Sequence, residues 1–418
     1  FLIINRTDVE GTLMAPARDS MPNATLSGLK VLEIAQVIAG PMAGTFLADL
    51  GADVVHVEDP TRGDPQRVTG LANSDGVFLW WKVSGRNKRS VTIDLRSEEG
   101  QDLARKLIGW ADVLITNFRA GTLDTWGLNW ESAHAANPKL VMLQITGFGA
   151  NTTLRDSPGF GKVGEAMSGV VGITGFPDGP PVHTGFSHAD SVTGLMGAFA
   201  IQAALYRKAH DPDFDGEWID LALFESLYRL IEWQVIVHDQ LGIVPTRAGN
   251  QLPVSPAAVI NTYLTSDDAW VTVTSGTVRS VQNVAALLGE PAENYRTVQQ
   301  QHAGRHRLDK LLHDWIREHP AEEALATMRA ASVTASRIYT MQDIVEDATY
   351  REREAITTID DPELGPVRMQ SVIPRMANHP GRIWRTGPAL GEDTDTVLAE
   401  CAGLQPDAIA DLRVRGII

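Results

Sequence analysis

Short apolar runs alternate with helical stretches over the first 150 residues, and this alternation limits what the chain can fold into. "LKVLEIAQ" (29–36), "DVVHVE" (53–58), "RSVTIDL" (89–95), "DVLITNF" (112–118) and "LVMLQITGFG" (140–149) have the length and β-branched content of buried strands. "AGPMAGTFLADLGA" after the first run and "EEGQDLARKLIGWA" after the third repeat their apolar residues at helical spacing, and Gly51 stands where the first helix should stop. Strands alternating with helices predict an α/β fold, a parallel sheet with helices on both faces.

The remainder reads differently. Asp190 to Leu205 is helical in pattern, "IDLALFESLYRLIEWQVIVHDQ" (219–240) reads as one long helix, and "NTYLTSDDAWVTVTS" (261–275) reads as a hairpin turning at Ser266–Asp268. Helices follow to about Ala331, then a strand-rich tail from Ile338 to Arg375 and a closing helix. A chain of 418 residues is too long for one ordinary core. The division expected is a leader over 1–26 ahead of a start at Met21, a large domain over 27–215, a linker helix over 216–245, a small domain over 246–335, and a return to the large domain over 336–418.

Charge and composition exclude several functions. A net charge of −16 argues against a nucleic-acid binder. The single cysteine, Cys401, excludes a disulfide framework and a cysteine-based metal site, and the eleven histidines lack metal-ligand spacing. No run approaches the ~18 apolar residues that span a bilayer. A cytoplasmic protein that binds neither nucleic acid nor membrane is expected.

Gly159-Phe160-Gly161-Lys162-Val163-Gly164 spells G-x-G-x-x-G. A dinucleotide fingerprint needs a strand before the glycines and an acid about 20 residues on, at the end of a second strand. Here a turn precedes the motif and a loop follows it, so it reads as a glycine-permitted bend into a helix starting near Lys162.

Several segments together resemble the class III coenzyme A transferases (the CaiB/BaiF family). They include "LKVLEIAQVIAGPMAGTFLADLGADVVHVEDPTRGDPQR", "NKRSVTIDLRSEEGQDLARKLIGWADVLITNFRAGTLDTWGL", "ADSVTGLMGAFAIQAALYRK", "GEWIDLALFESL", "RAGN" (247–250) and "GPALGEDTDTVL". The resemblance runs from about Ser27 to the end. It implies a Rossmann-like large domain, a smaller inserted α+β domain and an interlocked dimer. It also implies an enzyme that moves coenzyme A between carboxylic acids, with acyl-CoA as substrate and no permanently bound cofactor. By resemblance, Lys88, Arg89, Asn117, Phe118 and Arg119 lie near the nucleotide end of coenzyme A, and Gln36, Val37 and Ala39 near the thioester. Glu58 is a structural acid of the large domain with no catalytic role.

The family's chemistry uses a carboxylate nucleophile that becomes in turn a mixed anhydride and a coenzyme A thioester. Its aspartate falls in this chain at Gly161, and its usual glutamine at Glu165. Three accounts stand open. Glu165, one helical turn on, takes over as nucleophile; or a paralogous subunit in a heteromer supplies the aspartate, in place of a plain homodimer; or the chain is a non-catalytic coenzyme A-binding subunit or a racemase-like enzyme. The racemase pattern needs His-Asp where this chain has Phe160-Gly161. Asp156 reads as a turn or helix-cap acid, Asp190 as a helix N-cap, and His183 and His188 as candidate contacts for a substrate carboxylate. The loop "NQLPVSPAA" (250–258) stands where oxalate-type members carry a glycine run, which points to a different and larger acid.

Overall fold

The five apolar runs become five strands of a single sheet. The computed structural model describes residues 24–252, 254–255 and 257–418. The expected start at Met21 and residues 1–23 of the leader lie outside the described residues, as do Pro253 and Pro256. Leu26 is part of the fold: it packs against the sheet and its N–H donates to the Leu50 carbonyl at 2.9 Å.

In chain order the first elements are β1 (Lys30–Ile34), α1 (Ala39–Asp49), β2 (Asp53–Glu58), α2 (Leu79–Ser84), β3 (Lys88–Thr92), α3 (Glu98–Trp110), β4 (Val113–Thr116), α4 (Ala120–Trp126), α5 (Trp130–Ala136), β5 (Val141–Thr146), α6 (Gly161–Met167), α7 (Val170–Ile173), α8 (His188–His210), β6 (Glu217–Ala222) and α9 (Leu223–Tyr228). The sheet order is β3-β2-β1-β4-β5-β6 and every pairing is parallel. Successive side chains of β1 point to opposite faces, as strand geometry requires. Leu32 and Ile34 join a core under α3 and α5 that includes Leu103, Leu107 and Ala133, while Val31 joins a second core under α1 and α8 with Ala43, Leu47, Ala198 and Ile201.

The long helix expected over 219–240 is corrected. Glu217–Ala222 is the sixth strand, aligned on β5 from Val141↔Glu217 to Thr146↔Ala222. Ile219 and Leu221 pack into the second core, and the Asp220 carboxylate accepts the Ala150 N–H at 3.0 Å. Tertiary pairing has overridden a local pattern that fits a helix equally well. Glu232, at φ 53°, then breaks the helical run before α10 (Gln234–Leu241).

A second unit comprises Val171–His183 and Trp233–Tyr350, a wider span than the 246–335 expected. Its antiparallel sheet, in the order β7-β8-β9, consists of β7 (Val259–Leu264), β8 (Trp270–Ser275) and β9 (Ala335–Arg337). The helices α11 (Val278–Leu287), α12 (Val298–Arg317) and α13 (Ala321–Ala330) bury its apolar face with Val284, Leu312 and Met328. The hairpin turn falls where the sequence placed it, with Asp268 at φ 58°. Strands were expected from Ile338. Instead Thr340 caps α14 (Met341–Glu346) in a reciprocal pair with Asp343, and α15 (Ala348–Glu352) follows.

The chain then returns to the first unit through the hairpin of β10 (Ile356–Asp361) and β11 (Gly365–Gln370), α16 (Thr394–Ala402) and α17 (Pro406–Val414). Val397 and Leu398 complete the core against α3, and the Asp393 carboxylate accepts the Ser90 N–H at 2.9 Å.

At the centre of the sheet β1 carries a charge. Glu33 is fully buried and takes the Lys88 ammonium on both carboxylate oxygens, at 2.8 and 3.1 Å; Lys88 also donates to the Pro41 carbonyl at 2.7 Å. The pair fits only because α1 has a glycine above it: a Cβ built on Gly44 would overlap Glu33 Oε2 and lie 2.9 Å from its Cδ. Gly→Ala in a helix ordinarily stabilises by about 1 kcal/mol. Here the methyl would push the carboxylate off a buried cation, a loss of about 3–5 kcal/mol. We expect Gly44→Ala to lose net stability by about 3 kcal/mol in urea unfolding; a variant as stable as the parent would contradict this packing.

Candidate active site

β1 and β4 are neighbours in the sheet, but the chain leaving β1 crosses to the α1 face and the chain leaving β4 goes on to α5 on the other face. A crevice therefore opens outside their C-terminal ends, the place where open α/β sheets bind ligands. A cavity of about 460 Å³ lies there, with Gln36, Val37 and Ala39 from the end of β1, Asn117, Phe118 and Arg119 from the end of β4, and Gly161, Glu165 and Asp190 across from them.

The two strand-end loops are tied together. The Gln36 N–H donates to Asn117 Oδ1 at 2.8 Å, and Asn117 Nδ2 donates to the Gln36 carbonyl at 2.7 Å. Val37 has φ 65°, a left-handed backbone that a β-branched residue adopts at a cost of about 1–3 kcal/mol. What holds it there is Asp64, whose buried carboxylate accepts the Val37 N–H at 3.0 and 3.1 Å. Asp64 is in turn faced by His56 Nε2 at 3.4 Å, an ion-pair rather than a hydrogen-bond distance, and His56 Nδ1 meets Glu33 at 2.6 Å. Burial alone would push the His56 pKa down, but the carboxylates of Asp64 and Glu33 outweigh it and raise it to about 9, so the ring is an imidazolium at neutral pH. A buried chain of charges thus runs from Lys88 through Glu33, His56 and Asp64 to the strained backbone at the cavity wall.

This changes the expected roles of Lys88 and Arg89. Neither lines the cavity. Lys88 is spent on Glu33, and buried Arg89 pairs with Asp53 at 2.7 Å and Glu400 at 3.0 Å. Both sit on β3, with their charge consumed inside the fold. Glu58 has the structural place expected of it, accepting from Arg67 at 2.6 and 2.7 Å, Ser90 Oγ at 2.6 Å and the Asp64 N–H at 2.8 Å. Asp156 accepts the Gly121 N–H in the first turn of α4 at 2.8 Å, the helix-end bond expected of it. His183 belongs to the second unit and is exposed, and neither it nor His188 lines the cavity.

Across the cavity, α6 begins at Gly161 after an extended Phe160. Glu165, one turn on, is buried, and both its oxygens are held by Lys162 Nζ at 3.0 and 3.1 Å; Lys162 also donates to the Thr184 carbonyl at 3.0 Å. Asp190 does not cap α8. Ser187 holds the cap position, and Asp190 stands in the first turn, where its carboxyl reaches back over Gly161. A Cβ built on Gly161 would overlap Asp190 Oδ2 and lie 2.8 Å from its Cγ. Burial, then the charge of Glu165, push the Asp190 pKa up to about 6, with Lys162 working the other way. Asp190 was visible in the sequence as a helix-start acid; its meeting with Gly161, 29 positions away, was not.

The profile of CoA-transferase family III matches residues 26–394 of the chain. Over 402 residues the chain is 38% identical to succinyl-CoA–D-citramalate CoA-transferase of Chloroflexus aurantiacus, covering 95% of this chain and 99% of that one. It is 34% identical over 399 residues to the beta subunit of succinyl-CoA–L-malate CoA-transferase of the same organism, covering 94% and 98%. Among solved structures, a CaiB/BaiF family protein from Brucella suis superimposes with a TM-score of 0.79 at 33% identity, covering 91% of this chain and all of that one.

The charge chain gives a pH signature. A histidine whose folded pKa is raised from 6.5 to about 9 contributes stability that is fully present below pH 6.5 and is lost as pH rises through about 9. We expect the urea midpoint to fall across that window, and His56→Leu to remove that part of the slope. An equal slope in the variant would contradict the assignment.

Proposed function

The chain belongs to CoA-transferase family III, and from that premise we propose that it passes coenzyme A from a succinyl-CoA-type donor to a small dicarboxylic acid of the malate or citramalate kind. The observation that carries this reading is the pair of carboxylates, Glu165 and Asp190, in a cavity at the switch point of the sheet. The relatives named above support the substrate class. The cavity supports it too, since Arg119 is among its lining residues and supplies a cation for an anionic substrate.

In this reading Gln36, Val37 and Ala39 flank the thioester, and Asn117, Phe118 and Arg119 take the coenzyme A chain toward its nucleotide. A cavity carboxylate attacks the thioester carbonyl. The C–O bond forms, the C–S bond breaks, and an enzyme–acyl anhydride and coenzyme A thiolate result. The thiolate attacks the enzyme-side carbonyl of the anhydride, which releases the donor acid and leaves coenzyme A on the enzyme as a thioester. The acceptor carboxylate then attacks that thioester, and the expelled thiolate takes the acceptor acyl group from the second anhydride. The enzyme carboxylate is restored, with no net proton or electron transferred. Splitting the exchange in this way replaces one difficult step with several easier ones.

A carboxylate on this chain favours a self-sufficient enzyme over one that borrows its nucleophile from a paralogue. The exposed Leu195, Phe199 and Tyr206 along α8 support a homodimer. We expect the purified chain alone to form malyl- or citramalyl-CoA from succinyl-CoA, followed by chromatographic separation of the CoA esters. Arg119→Ala should raise the KM for the CoA ester about tenfold with kcat little changed, the loss of one charge-assisted contact. Absence of transfer to any dicarboxylic acid would sink the reading.

A further inference from the structure

We propose that Asp64 is a positioning residue for the transfer reaction: it fixes the left-handed turn at Val37 and so sets the coenzyme A thioester against the carboxylates of the cavity. The inference rests on the transferase reading above and adds to it a residue that does not itself line the cavity.

The turn from β1 into α1 is Gln36-Val37-Ile38, and all three residues line the cavity. The turn does little to hold itself. Ile38 takes the N-cap position of α1 and offers the helix no side-chain acceptor. Val37 has φ 65°, a region that β-branched residues avoid and glycine enters freely. Two side chains from beyond the neighbouring strands β4 and β2 pin the turn instead. Asn117 takes both the N–H and the carbonyl of Gln36. Asp64 takes the Val37 N–H on both of its oxygens. The Asn117 contact fixes where the turn begins. The Asp64 contact fixes how the chain leaves it, because it orients the peptide plane from which the Val37 φ is measured.

Asp64 is itself firmly anchored. It is buried, and its N–H donates to Glu58 Oε2 at 2.8 Å. Its carboxylate also accepts the Gln66 N–H at 2.8 Å and faces His56 Nε2 at 3.4 Å. Three N–H groups therefore converge on one carboxylate. An ionised carboxylate accepts on both oxygens, whereas asparagine has one acceptor oxygen and an NH2 that would point at a donor. The simpler role for Asp64 is to cap the short 3-10 turn Pro65–Val68, and that role uses only Oδ1. The second oxygen faces Val37 and His56, so it serves the turn at the cavity wall.

The test asks whether the cost of losing Asp64 depends on Val37. Transfer from succinyl-CoA is measured per mole of folded protein for the wild type, Asp64→Asn, Val37→Gly and the double variant. We expect Asp64→Asn to lower kcat about a hundredfold, the cost of a misplaced reacting group. In the Val37→Gly background the left-handed turn needs no clamp, and there we expect the same substitution to cost less than about fivefold. A residue that only capped the 3-10 turn would cost the same in both backgrounds. Equal costs, or Asp64→Asn with the kcat of the wild type, overturn the inference and leave the transferase reading intact. Absence of transfer by the wild type with every donor and acid overturns both. A measurement on the wild type serves if Asp64→Asn does not fold: residue-resolved hydrogen exchange, in which the Val37 amide is expected to exchange at least about a hundredfold more slowly than an unprotected amide. Exchange at the unprotected rate overturns the clamp.

Discussion

Glu33 is a carboxylate at the centre of a parallel sheet with no solvent to hydrate it. A lone charge there would be prohibitive, so the surrounding structure is arranged to answer it. Lys88 reaches across from β3, His56 turns its Nδ1 toward it from β2, and α1 presents Gly44 where any side chain would collide. The imidazolium then faces Asp64, and Asp64 holds the Val37 backbone in a conformation it would not adopt alone. The core and the cavity wall are therefore parts of one electrostatic arrangement. A buried ion pair is weak evidence for stability in general; here its geometric consequence is an oriented backbone at the ligand crevice.

On the other side of the crevice the logic is steric. Gly161 and Asp190 share one volume, and only one of them can supply a side chain to it. The charge of Glu165 and its tether to Lys162 complete a small acid–acid–base cluster in which the two carboxylates differ: one is neutralised, and the other has its pKa pushed up to about 6. Two acids placed in different environments take different roles.

Much of this was legible from the chain. The five apolar runs gave five strands, and the family motifs marked the β1 and β4 ends where Gln36 and Asn117 now meet. The misreadings share a cause. Lys88 and Arg89 were placed near coenzyme A by resemblance to the family; their partners Glu33 and Asp53 lie 55 and 36 positions away, and nothing local announces them. "GEWIDLA" has apolar spacing that fits a helix or a strand, and pairing with β5 decided it. Asp190 was read as a cap because local pattern favours acids at helix starts, whereas its role depends on a contact 29 residues back. Long-range contacts, not local propensity, carry the site.

The central claim is that an enzyme carboxylate passes coenzyme A on and is itself regenerated with an oxygen from the acceptor. Turnover with an acceptor acid labelled in its carboxylate with a heavy oxygen isotope tests this directly. The account predicts that the label appears in a side-chain carboxylate of the cavity, Glu165 or Asp190, after a single turnover. Product formed with no label entering the protein would contradict it.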